Sequence, residues 1–245
     1  MKTPLRVIAI ILLLGFTVTL LAGAPPQKSE PANAVSAANR SEAVRLNNLG
    51  TAYVNQQVFE KAVGYFHQAV QADPSLAVAR LNEGIALANS QKTEEAKAAF
   101  EEVVKREPEN PRGWYNLGLL DKSIGDGKAA IEAFQKASQL APNDADAAYF
   151  LGMAMLQDGQ NEAAVPVFQR ALKLNPFHAS AEFGLARAYR NLGQMDQAKL
   201  HQVSFDHIRK AKLGAPITLA YGDQGPLSLV VTVNGAEGEA VAAIP

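Results

Sequence analysis

Residues 111–144, PRGWYNLGLLDKSIGDGKAAIEAFQKASQLAPND, run straight into residues 145–178, ADAAYFLGMAMLQDGQNEAAVPVFQRALKLNPFH. Laid one under the other, they place Leu117-Gly118 over Leu151-Gly152, Ala130 over Ala164, Phe134 over Phe168 and Pro142 over Pro176, all offset by 34 residues. Working outward at that period, the alanine column extends to Ala62, Ala96 and Ala198, and the phenylalanine column to Phe66 and Phe100. The proline column gains Pro74 and Pro108, and the glycine column gains Gly50 and Gly84 before changing to Ala186. Four columns sharing one period mark an internal repeat, which sets the architecture before any local propensity is considered.

Each column has a physical task. Ala62 and Phe66 are four residues apart and so share one helix face, as do Phe66 and Ala69 at three apart. Glycine inside a helix costs about 1 kcal/mol in propensity, so its recurrence at Gly50, Gly84, Gly118 and Gly152 calls for close approach of a second helix. Proline lacks a donor and clashes with the preceding turn, so it closes each second helix. Asn55-Gln56-Gln57, Gly125-Asp126-Gly127, Asp158-Gly159 and Leu192-Gly193 supply the turns within each pair. Each unit therefore reads as helix, short turn, helix, proline-marked turn.

These columns, with Leu46 and Trp114 at an aromatic or apolar first-helix position, resemble the tetratricopeptide repeat. The resemblance implies an all-α fold: a right-handed superhelical solenoid of five helix-turn-helix repeats, at 43–75, 77–110, 111–144, 145–178 and 179–212. A short C-terminal β-hairpin tail follows. Repeat two departs by carrying Arg80 and Glu83 where repeat one has Leu46 and Leu49, which predicts a less well buried first helix. Repeat five has Ala186, Gln202 and Lys210 for glycine, phenylalanine and proline, with a shifted apolar face at Ala198, His201, Phe205 and Ile208. That is the expected form of a solvent-facing terminal repeat.

Residues 1–24 stand apart. Lys2 and Arg6 precede an apolar run from Val7 to Ala22, ending at the small residues Ala22-Gly23-Ala24. This is the order of a signal peptide and predicts an exported protein, periplasmic or secreted. Pro25 makes the Ala24–Pro25 bond a poor protease substrate, so an N-terminal anchor over residues 7–22 is the other reading. Residues 25–40 form a Pro/Ser/Ala-rich linker, expected to be disordered apart from a helical turn near Ser36 to Arg40.

The chain of 245 residues carries a formal net charge of -1. Removing residues 1–24 leaves 21 basic against 24 acidic residues, which argues against nucleic acid as a partner. There is no cysteine, so disulfides, thiolate metal sites and lipid attachment are excluded. His67, His178, His201 and His207 offer no i, i+4 metal pair. No phosphate loop, nucleophile elbow or dinucleotide fingerprint occurs, and acid runs such as Glu94-Glu95 lie on solvent faces. The chain is expected to be no enzyme and to need no cofactor.

In this repeat family first helices line the concave side. Asn48, Asn82 and Asn116 recur there at the 34-residue period. An amide carries a donor and an acceptor and can hold an extended peptide's backbone without reading its sequence. Such asparagine ladders do so in relatives; the plainer reading is a frequent solvent-facing residue. Arg112, Tyr115, Lys122, Tyr149, Met153, Phe183, Arg187 and Arg190 complete the expected peptide-binding groove, with Phe150 and Tyr189 assigned to the core. The positions of a chaperone-tail carboxylate clamp hold Asn47, Thr51, Asn82, Arg112 and Asn116, too few matches for that role. A protein or peptide partner is implied, with membrane contact only through an uncleaved N-terminal anchor.

From Gly214 the composition changes. Ile217–Tyr221 and Leu227–Val233 read as two short strands about Gly222-Asp223-Gln224-Gly225-Pro226. Leu213-Gly-Ala-Pro-Ile217 and Tyr221-Gly-Asp-Gln-Gly225 are similar to the junction joining tetratricopeptide repeats to an FG-GAP β-propeller in exported proteins with ASPIC/UnbV domains. Residues 213–245 are then a hairpin tail or the start of a truncated domain. Two functions follow: a scaffold that binds a partner segment in its groove, or an assembly arm whose tail docks a β-rich domain while the groove stays idle.

Overall fold

A computed structural model describes residues 35–234 and 239–242; the expectations for residues 1–34, including the signal segment, lie outside these. Ten helices follow in order: α1 (Ala37–Asn55), α2 (Phe59–Ala72), α3 (Ala77–Asn89), α4 (Thr93–Arg106), α5 (Pro111–Ile124), α6 (Gly127–Leu140), α7 (Ala145–Gln157), α8 (Asn161–Leu174), α9 (Ala179–Asn191) and α10 (Met195–Lys210). Each odd helix packs on the even helix after it, and each even helix on the next odd one, giving five stacked hairpins.

The third hairpin shows why the sequence breaks where it does. Asn110 caps α5 by accepting from the Arg112 amide at 3.0 Å, and Pro111 takes the first helical position, where no donor is missed. Gly125, at φ 84°, ends α5 in the left-handed conformation, and Asp126 caps α6 through the Ala129 amide at 3.1 Å. Between the helices the small columns meet the large one. A Cβ added at Gly118 would lie 2.9 Å from the Phe134 ring, so the glycine makes room for the phenylalanine directly. Phe66, Phe100, Phe134 and Phe168 are all buried at 1 % exposure or less, with Ala62, Ala96, Ala130 and Ala164 beside them.

Repeat two is not loosened by its charges. Glu83 is only 4 % exposed, yet it accepts from Arg80 at 2.6 Å and contacts His67 Nδ1 at 2.9 Å. Arg80 also reaches Glu102 of α4 at 2.8 Å. The expectation of a poorly buried first helix fails because the charges satisfy one another, and α3 is closed on both sides. Repeat five keeps its shifted face: Ala198 and Ile208 are buried, His201 bonds Glu182 at 2.6 Å, and the Phe205 ring packs on Phe183.

The tail differs most from expectation. The strands are β1 (Val231–Asn234) and β2 (Glu239–Ala242), paired antiparallel with Thr232 opposite Val241 and Asn234 opposite Glu239. Ile217–Tyr221 is not a strand, and Pro226–Ser228 forms a short 3-10 turn. The hairpin therefore lies further along the chain, and the preceding residues are recruited by the solenoid.

Candidate functional site

The tail leaves α10 and enters the concave face formed by the odd helices. At Gly214 the chain runs against the Phe177 carbonyl. The Ile217 amide then donates to Ser180 Oγ of α9 at 2.8 Å. Tyr115 Oη of α5 donates to the Gln224 carbonyl at 2.5 Å. Gly225, at φ 89°, presses on Asp146 of α7; a Cβ there would come within 2.6 Å of its carboxylate, so only glycine fits. Arg112 donates to the carbonyls of Pro226 at 2.8 Å and Leu229 at 3.1 Å, and Asn116 to that of Leu227 at 2.9 Å. From Leu227 onward the chain runs from α5 towards α1, against the order of the repeats.

The last contacts are two-point. Asn82 accepts from the Val231 amide at 2.9 Å and donates to the Val231 carbonyl at 2.7 Å. Asn48 does the same to Val233, at 2.9 Å and 2.8 Å. Each side-chain amide thus imitates the peptide group of a neighbouring antiparallel strand. Because strand residues alternate, Val231 and Val233 turn their backbone to the ladder while Thr232 and Asn234 face β2. Strand β1 lies between β2 and a column of asparagines.

Apolar side chains lock this register. Leu227, Val230 and Val233, three residues apart, enter three successive core clusters: Leu227 the one spanning α5 to α9, Val230 that of α1 to α6, and Val233 that of α1 to α3. Val230 and Val233 are 0 % and 1 % exposed. Tyr221 adds an edge-on contact to Phe59 of α2, and its hydroxyl accepts from the Val230 amide at 3.0 Å. Burial raises the Tyr221 phenol pKa, and that of Tyr115 still more. It also lowers the Arg112 pKa, whose hydrogen bonds go to carbonyls of the tail rather than to a carboxylate.

Of the expected groove residues, the structure gathers Asn48, Asn82, Asn116, Arg112 and Tyr115 on the tail. The other six donate no hydrogen bond to its described residues. Tyr149 packs on Phe150, Phe168 and His178. Lys122 sits half-buried with its ammonium 5.9 Å from the Phe150 ring centre, and desolvation lowers its pKa. Met153 borders the α5–α9 core, Phe183 lies against Phe205, Arg187 is half-buried and Arg190 is exposed. Phe150 is core as expected, but Tyr189 is only half-buried, stacked on His201. Sequence reasoning set Asn47 at a clamp position and left it out of the asparagine ladder, yet it is fully buried, accepts from Asn82 at 2.8 Å and donates to the Val231 carbonyl at 3.1 Å. Its signal was a second asparagine beside Asn48. Among the described residues no cluster of acids and histidines could hold a metal ion, and no helix is long and apolar enough to cross a membrane.

Comparison with known proteins bears on the stacked hairpins. Models of the tetratricopeptide repeat match residues 43–72, 81–120, 122–170 and 155–200. No curated protein matches the chain in sequence. Among solved structures, MamA from Desulfovibrio magneticus RS-1, residues 41 to its end, superposes with a TM-score of 0.66 at 23% identity, covering 74% of this chain and 100% of that one. YrrB, described as a TPR protein with an unusual peptide-binding site, superposes with a TM-score of 0.62 at 23% identity, covering 72% of this chain and 91% of that one. The chain is a member of the tetratricopeptide-repeat proteins, a fold suited to protein–protein interaction.

Proposed function

We propose that this protein is an exported, non-catalytic scaffold whose concave face holds extended polypeptide backbone, with its own segment Gly214–Asn234 as the resident occupant. The observation that carries the reading is the ladder of Asn48, Asn82 and Asn116 on the backbone of Val233, Val231 and Leu227. Full burial of an apolar side chain is worth about 1.5–3 kcal/mol, so Leu227, Val230 and Val233 together make the tail expensive to displace. This weighs against a groove standing open for a partner and in favour of the arm, with one change: the groove is not idle. It fixes the tail so that the β1–β2 hairpin is presented beside α1, where a β-rich domain can dock. Export rests on Lys2, Arg6 and the apolar run to Ala22, and mass measurement on protein from its host should show loss of about 22–24 residues.

The test compares capture of partners from envelope extract by the whole chain and by a chain lacking residues 214–245. The arm requires that the deletion abolish association. Stronger capture by the shortened chain would show that the tail guards a groove meant for another protein, and would overturn the reading.

A further inference from the structure

Helix α10 carries a face that the other even helices lack. Asp196, Leu200, Val203, His207 and Lys210 follow one another at spacings of four, three, four and three, and all are exposed. That alternation is the seam of a helix pair. Leu200 and Val203, its centre, are 58 % and 59 % exposed. At the 34-residue period Leu200 corresponds to Gly64, Ala98, Glu132 and Pro166, and Val203 to His67, Glu101, Gln135 and Gln169. Outward-facing leucine and valine at these positions thus belong to the last repeat alone.

The charges bordering this centre are ordered. Asp196 is in the first turn, while His207, Arg209 and Lys210 are in the last. Among the described residues Asp196, His207 and Lys210 make no ion pair. A second α10 laid antiparallel would set Leu200 against the partner's Val203 and Asp196 against the partner's His207, twice over by symmetry. Acidic first turns would meet basic last turns, and the helix dipoles would oppose. A parallel arrangement would place like charges together.

We propose that two copies of this chain associate through the seam Asp196–Leu200–Val203–His207 of α10, in an antiparallel, twofold-symmetric pair. The surface is independent of the groove. It is small, so the pair is a weak one with a dissociation constant of about 10–100 μM. In an arm-like scaffold it would hold two hairpins on one assembly.

Sedimentation equilibrium of the full chain in density-matched detergent tests this. The wild type should show a concentration-dependent monomer–dimer equilibrium, and Leu200→Glu should abolish it with the helical circular dichroism intact. Asp196→Lys and His207→Asp should each weaken the dimer about tenfold, since both symmetric contacts lose their acid–base pairing. Mixing those two variants should restore it, because the lysine introduced at position 196 then meets the aspartate introduced at position 207. A wild type that stays monomeric up to about 1 mM overturns the proposal. So does a dimer indifferent to Leu200→Glu, or a mixture no tighter than its separate components.

Discussion

In repeats one to three the concave position at the middle of the first helix holds Asn48, Asn82 and Asn116; in repeats four and five the same position holds Phe150 and Gly184. The first three face the tail with amides that bond its backbone. Phe150 instead turns inward, stacked on Phe134 at 5.4 Å, and Gly184 lies under Phe168. The tail answers in kind. Over α9 it is tied by the Ile217 amide and then rises into solvent, with Leu219 82 % exposed; over α5 it is buried and held at the Leu227 carbonyl, and over α3 and α1 it is buried and two-point bonded. One repeat pattern thus builds two surfaces, according to whether its central position is spent on the core or on the groove.

The largest test of this contrast is Val230→Asp. Val230 is 0 % exposed, and a buried unpaired carboxylate has no partner there, so the substitution should cost about 4 kcal/mol or more. The stretch Leu227–Asn234 should undock, seen as loss of hydrogen-exchange protection at the Val231 and Val233 amides. Full protection in this variant would mean that the register of the tail differs from the one described.

Asn82→Ala asks less of the molecule. It removes the acceptor of the Val231 amide and one donor to the Val231 carbonyl, and leaves Asn47 Oδ1 without its Asn82 donor, all in a buried setting. Buried groups stranded in this way cost about 1–3 kcal/mol, which a urea midpoint resolves. Leu219→Ala in the exposed arch should change stability by less than about 0.5 kcal/mol. Equal effects for the two would erase the distinction between bonded and arching segments.

The solenoid was legible in the sequence because its columns are stacked contacts: glycine opposite phenylalanine, with alanine alongside, recur wherever the two helices of a hairpin meet. The asparagine ladder was legible as a column too, and so was its capacity to hold backbone. What could not be read was whose backbone. Leu227–Val233 looks like an alternating strand, and alternation says nothing about whether the second face meets another strand or a row of side chains. The phrases Leu213–Ile217 and Tyr221–Gly225 were recognised only by similarity; Ile217, Tyr221, Gln224 and Gly225 each make a contact with the solenoid that no local rule encodes. Glu83 was misread for a related reason: Arg80 stands three residues away on its own helix, but His67 on α2 and Glu102 on α4, which complete the network, are brought in only by the fold.

A small effect of opposite sign is expected at the turns inside each hairpin, where the two halves differ again. The left-handed residue is Gln57 at φ 58° in repeat one and Gln91 at φ 62° in repeat two, but glycine afterwards: Gly125 at 84°, Gly159 at 82° and Gly193 at 71°. A side chain in this conformation sets its Cβ against the following carbonyl and costs about 1–2 kcal/mol, whereas glycine bears no such clash. Glycine in turn gives the unfolded chain more freedom, which offsets about 0.5–1 kcal/mol of the gain. Gln91→Gly and Gln57→Gly should therefore each stabilise the protein by about 0.5 kcal/mol, and Gly159→Gln should destabilise it by a similar amount. Both quantities follow from urea midpoints at unchanged slope. A loss of stability on placing glycine at position 91 would mean that the glutamine side chain makes a compensating interaction, and the N-terminal turns would then be tuned rather than strained.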